Sequence, residues 1–135
     1  MNVALVIAGA IALVATAVHG VAGERLVMRA LTPEALPSTR FGGSRMTRTM
    51  IHATWHITTS AFLTVAIALL LSGTVLDGDA AHAVALVAAA AATAFAGVAV
   101  VLGGAYSPRS LLRHRGPAAL TATAVLAWVG ALTLG

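Results

Sequence analysis

Residues 2 to 22 read NVALVIAGAIALVATAVHGVA, a run in which His19 is the only ionisable side chain. An α-helix rises about 1.5 Å per residue and the hydrocarbon core of a bilayer is about 30 Å thick, so roughly 20 apolar residues cross it. The run therefore predicts a membrane-spanning helix. Three more apolar runs follow, at residues 50 to 71, 80 to 104 and 118 to 134. Together they predict an all-α integral membrane four-helix bundle, up-down-up-down, in a single domain over residues 1–135.

The composition agrees with a membrane protein. Of the 135 residues, 59% are hydrophobic and 9% are charged, against roughly 25% charged in soluble domains. The chain has no cysteine, which excludes disulfides and cysteine metal sites. Arginine supplies every positive charge, but no basic stripe with interleaved aromatic residues is present. Nucleic acid is therefore not an expected partner.

The arginines predict how the chain is oriented. All eight lie between the first and second runs or between the third and fourth, whereas the opposite side carries only Asp77 and Asp79. Short loops rich in arginine stay in the cytoplasm. We therefore expect an inner-membrane protein with cytoplasmic first and third loops and with both termini periplasmic or extracellular. Residues 15 to 17 resemble a signal-peptide cleavage site, but no basic segment precedes the run, so we expect an uncleaved span.

Small residues predict the helix contacts, because helices in lipid associate through close packing rather than through hydrophobic burial. One stripe runs along the first span, and a second runs along the third span. Their members are Gly9, Ala12, Thr16, His19 and Gly23, and then Ala89, Thr93 and Gly97. In the cytoplasmic loops, Thr32-Pro33 and Ser107-Pro108 each predict the start of a short interfacial helix.

Three of the five histidines are expected to lie near one another in the cytoplasmic half of the bundle, His19 and His52 at the same depth and His56 one turn deeper. His19 lies near the end of the first span, and His52 and His56 lie one turn apart near the start of the second. Two imidazoles at i and i+4 with a third from a neighbouring helix suit a divalent metal such as zinc, with water or Glu24 in the fourth position.

Two other interpretations of these histidines stay open. A b-type haem would need His19 as one axial ligand, because His52 and His56 share one helix face. Alternatively the rings are neutral and join the helices through hydrogen bonds to Thr16, Thr59, Ser60 or a backbone carbonyl.

The pattern His19-Gly20-x-x-Gly23-Glu24-Arg25, followed by Trp55-His56, resembles an uncharacterised family of small four-span bacterial membrane proteins. The resemblance covers the first half of the chain. It implies a location in a bacterial inner membrane and no particular activity.

The sequence favours a structural or accessory subunit that binds another membrane protein, or a second copy of itself, through small-residue helix faces. The alternative is a metal- or haem-binding membrane protein built on the histidines. A proton-coupled transporter is disfavoured, because no carboxylate lies within a predicted span and such carriers depend on one. No catalytic arrangement of residues indicates an enzyme.

We predict that reporter fusions after residue 76 and at the C-terminus report the periplasm, and that fusions after residues 37 and 110 report the cytoplasm. The one-sided distribution of arginine is the reason. Cytoplasmic activity of the C-terminal fusion would contradict the four-span arrangement.

Overall fold

A computed structural model describes residues 1–40, 42–107, 109 and 115–134, and all regular structure within these residues is helical. The all-α prediction is confirmed. Helix α1 (Val3–Ala17) continues through a π-helical turn (Val18–Ala22) into α2 (Gly23–Leu26), and two 3-10 turns follow. The remaining helices are α3 (Gly43–Thr74), α4 (Gly78–Tyr106) and α5 (Arg115–Leu132).

Three stretches are long and apolar enough to cross a membrane: Val3–Ala30, Gly43–Thr74 and Gly78–Ala105. They correspond to the first three predicted spans and indicate a membrane protein. The fourth predicted run forms α5, whose 18 residues begin with Arg115, Gly116 and Pro117. Its apolar part is therefore shorter than that of the other three.

The helices extend beyond the predicted runs. Helix α3 begins at Gly43 rather than near Met50, so Arg45 and Arg48 lie in its first turns and not in a linker. Arg48 then donates from Nε to the carbonyl of Leu31, 2.6 Å away, and holds the preceding loop against α3. A run of high hydropathy shows only the apolar segment of a helix. The helix itself can extend beyond that segment through residues with polar side chains that face water.

The structure describes the loop before α3 almost completely, but it describes only part of the loop between α4 and α5. The helical turn predicted after Thr32 is present as a single 3-10 turn, Pro33–Ala35. Of the matching pattern after Ser107, Pro108 and residues 110–114 lie outside the described residues.

Each long helix packs against the next one in the chain, and α1 also packs against α5. The turn between α3 and α4 is tight, because Gly78 has a φ of +58°, a left-handed conformation that costs glycine little. The N-cap of α4 is Asp77, whose side chain makes no capping hydrogen bond.

The interior consists mostly of small side chains, and large apolar side chains point outward. Val14, Val87 and Leu132 are 65%, 72% and 69% exposed. This is the reverse of a soluble core. The buried apolar residues are Leu5, Met28 and Leu69 with the alanines 8, 12, 66, 81, 85, 88, 89, 92, 96, 124, 127 and 131.

The small-residue stripe of α1 faces another helix as predicted. Gly9, Ala12 and Thr16 are buried, and a Cβ on Gly9 would lie 2.7 Å from Cγ of Leu70 in α3. Of the stripe predicted on α4, Ala89 is buried, whereas Thr93 and Gly97 are exposed, and no atom lies within 4 Å of a Cβ added to Gly97. An alanine-rich helix has several equally small faces, so its neighbours rather than its sequence select the buried one.

Asn2 fastens the first helix to two others at the end away from the arginines. Its side-chain amide donates to the carbonyl of Gly130 and to Oγ1 of Thr133, both 3.0 Å away. Its backbone N–H donates to the carbonyl of Gly73 at 2.8 Å. The start of α1 is thereby tied to the ends of α3 and α5.

Candidate metal centre

Two glycines bring the end of the first helix close to α3 on the arginine-rich side. A Cβ on Gly20 would lie 2.9 Å from Cγ2 of Thr59, and one on Gly23 would overlap the ring of Trp55. Backbones approach this closely only where side chains are absent. The side chains that flank these glycines, His19 and Glu24, are therefore pressed against α3.

The π-helical turn sets the direction of Glu24. In an α-helix, residues five apart differ in direction by about 140°, so His19 and Glu24 would point to different sides. Here the N–H of Gly23 bonds to the carbonyl of Val18, and the turn holds about one extra residue. This insertion brings Glu24 around to the side of α3 that carries His52.

His19 is fixed by packing and by one hydrogen bond. Its ring stacks on Trp55 with centroids 4.1 Å apart and an interplanar angle of 13°, and Phe62 meets it edge-on at 5.3 Å. Nδ1 lies 2.9 Å from Oγ1 of Thr59, which donates its own proton to the Trp55 carbonyl. Thr59 must therefore accept, which places the His19 proton on Nδ1 and leaves a lone pair on Nε2.

One turn from this contact, three potential ligand atoms converge. Nε2 of His52 lies 2.9 Å from Oε2 of Glu24 and 3.1 Å from Nε2 of His56. The third side of the triangle, from Nε2 of His56 to Oε2 of Glu24, is 3.7 Å. The side chains of Glu24, His52 and His56 are 26%, 35% and 54% exposed, so the group is open on one side. We call these residues the Glu24/His52/His56 triad.

The triad lacks protons for all of its short contacts. With both imidazoles neutral and the carboxylate ionised, Nε2 of His52 can donate to Glu24 or accept from His56, but one nitrogen cannot do both. If Nε2 accepts from His56, its contact with Glu24 joins two lone pairs that repel each other; if it donates to Glu24, its contact with His56 is left without a hydrogen bond. A cation between the three atoms, either an added proton or a metal ion, relieves this repulsion.

The size of the triangle fits a zinc ion. Sides of 2.9, 3.1 and 3.7 Å give a circumscribed circle with a radius of about 1.9 Å, while Zn–N and Zn–O bonds are about 2.0–2.2 Å long. The three atoms are therefore close enough together that one ion could bind all of them. The three residues form a possible metal-binding group.

The structure brings together three of the four predicted ligands. Glu24, His52 and His56 form the triad, whereas His19 lies beside it, bonded to Thr59 and stacked on Trp55. Elsewhere, His82 has a buried Nδ1 with no partner among the described residues, and His114 lies outside them.

Sequence reasoning missed the π turn and the contact between Gly23 and Trp55. The spacing of Gly20 and Gly23, directly before Glu24, is the signal that a close helix approach ends there. Comparisons with family models, curated proteins and solved structures find no match to this chain.

We predict that Gly23→Ala lowers the free energy of unfolding in detergent by about 1–3 kcal/mol, because the new methyl group must displace Trp55. Trp fluorescence should shift with it. The matched control is Gly97→Ala, which adds the same methyl group where no atom lies within 4 Å and should stabilise the helix by up to about 1 kcal/mol. Equal effects of the two variants would show that Gly23 is not a contact point.

Proposed function

We propose that this chain is a four-span inner-membrane protein that binds a divalent metal ion, with zinc as the best fit, through Glu24, His52 and His56. The observation that carries the proposal is the triangle of Oε2 and two Nε2 atoms, whose sides of 2.9, 3.1 and 3.7 Å match the ligand spacing around zinc.

The donor set narrows the choice of ion. Two imidazoles and a carboxylate suit zinc and the neighbouring transition metals, whereas magnesium and calcium prefer oxygen ligands. Three protein ligands leave a fourth position for water or an incoming group, as in zinc sites that exchange or activate a ligand. The 54% exposure of His56 supports access to that position.

Membrane embedding is supported by three apolar helices of spanning length. It is also supported by the packing, because small side chains line the interior and large apolar side chains face outward, as lipid favours. We infer that α5 completes an up-down-up-down bundle, because it packs against both α4 and α1. The arginine distribution favours the cytoplasmic side for the triad.

Metal and protons compete for the same lone pairs. Since histidine and carboxylate ligands must be deprotonated to bind an ion, loading releases protons and acidification releases the metal. Acidification should therefore weaken binding at the proposed site.

The accessory-subunit and haem interpretations stay predictions. An accessory role needs a free small-residue face, and Gly9, Ala12 and Thr16 are already buried against the chain's own helices. A haem would need His19 as an axial ligand, whereas the ligand atoms that the structure brings together are those of Glu24, His52 and His56.

We predict that the detergent-purified chain, stripped of metal, binds one zinc ion per chain in calorimetric titration. His56→Ala should weaken binding by more than the roughly 10–100-fold loss typical of an outer-shell change, because it removes a ligand. Acidification should weaken binding, because protons compete with the ion for the same ligand atoms.

The matched control is His82→Ala, a histidine of α4 outside the triad, which should bind zinc like the wild type. His19→Ala should retain the one-to-one stoichiometry. Loss of zinc in His19→Ala with retention in His56→Ala would reject the triad, as would an unaltered affinity in both Glu24→Gln and His56→Ala.

A further inference from the structure

An apolar groove runs along the outside of the contact between α4 and α5. It has a volume of about 580 Å³ and is lined by Val100 of α4 and by α5 from Pro117 to Leu126, chiefly Ala118, Thr121, Ala122 and Val125. None of these side chains is charged, and none belongs to the triad. It therefore has no part in the proposed metal chemistry.

The groove has the depth of one lipid leaflet. From Pro117 to Leu126 the helix rises about 14 Å, close to half of the roughly 30 Å hydrocarbon core. Two residues further on, the indole N–H of Trp128 donates to Oγ1 of Thr93 at 2.9 Å and bridges α5 to α4. The groove is thus bridged near mid-membrane and extends over about one leaflet, as an acyl chain does.

At the Pro117 end of the groove, opposite Trp128, the chain carries a positive charge. Arg115 precedes Ala118 by three residues and so lies one turn above it on the same face of α5, and its side chain is exposed. Arg109 follows the C-terminal end of α4 and is also exposed. An arginine can lay its methylenes along the groove and keep its guanidinium at the level of lipid phosphates.

We propose that the α4/α5 groove binds one acyl chain of an anionic phospholipid whose headgroup is held by Arg115 with help from Arg109. Basic sites between membrane helices on the cytoplasmic side have this character. The proposal rests on the membrane embedding proposed above but not on the metal site, so either can fail alone.

Native mass spectrometry of the full chain in a neutral detergent tests whether the α4/α5 groove binds an anionic phospholipid. The probes are phosphatidylglycerol and phosphatidylcholine with identical acyl chains. Wild type should retain phosphatidylglycerol at least about fivefold more strongly, and Arg115→Gln should remove about fivefold of that affinity, the effect of one arginine near a lipid surface. Ala122→Trp, which fills the groove, should abolish retention of both lipids.

The controls are Arg40→Gln, an exposed arginine of the other loop, and Ala10→Trp, the same enlargement at an exposed position of α1; both should behave like the wild type. Soluble glycerophosphoglycerol at equal concentration should not displace the lipid, because it lacks the chain that fills the groove. Equal retention of the two lipids, or unchanged retention in Ala122→Trp, would overturn the proposal. A chain dimer that Ala122→Trp dissociates, with lipid retention unaffected, would assign the groove to a protein contact instead.

Discussion

The close approach of the first helix to α3 is the contact on which the candidate site depends. Gly20 and Gly23 leave room for Thr59 and Trp55, and the π turn directs Glu24 toward His52, whose Nε2 lies 2.9 Å from its carboxylate. A larger side chain at either glycine would separate the helices. The carboxylate and the two imidazoles come from different helices, so they meet only while this contact holds.

The same requirement for small side chains governs the rest of the chain. In lipid, burying a large apolar side chain brings no hydrophobic stabilisation, because the lipid tails are equally apolar. An alanine-lined interior is stabilised instead by close backbone contact and dispersion. Polar contacts then fix the ends: Asn2 links α1 to α3 and α5 on one side, and the triad joins the first helix to α3 on the other. In the proposed bilayer setting, lipid is the medium available to fill the groove between α4 and α5.

Much of the fold follows from the sequence, because the length of an apolar run and the position of charges act locally. The similar depth of His19 and His52, with His56 one turn deeper, also follows from residue counting. The triad itself does not. The Glu24 carboxylate faces α3 only because the π turn rotates the following residues about the helix axis. The pattern of hydrophobic residues does not show that one residue is inserted there. Likewise, the alanines of α4 offer several equivalent faces, and Gly97 ends on the exposed one.

X-ray absorption at the zinc edge of the loaded protein tests the proposed metal centre most directly. The triad predicts a first shell of four nitrogen and oxygen ligands at about 2.0–2.1 Å, with multiple scattering from two imidazoles that falls to one in His56→Ala. A shell with three imidazoles, reduced to two by His19→Ala, would contradict this assignment. So would a shell of six oxygens without imidazole scattering, which would indicate a loosely hydrated ion.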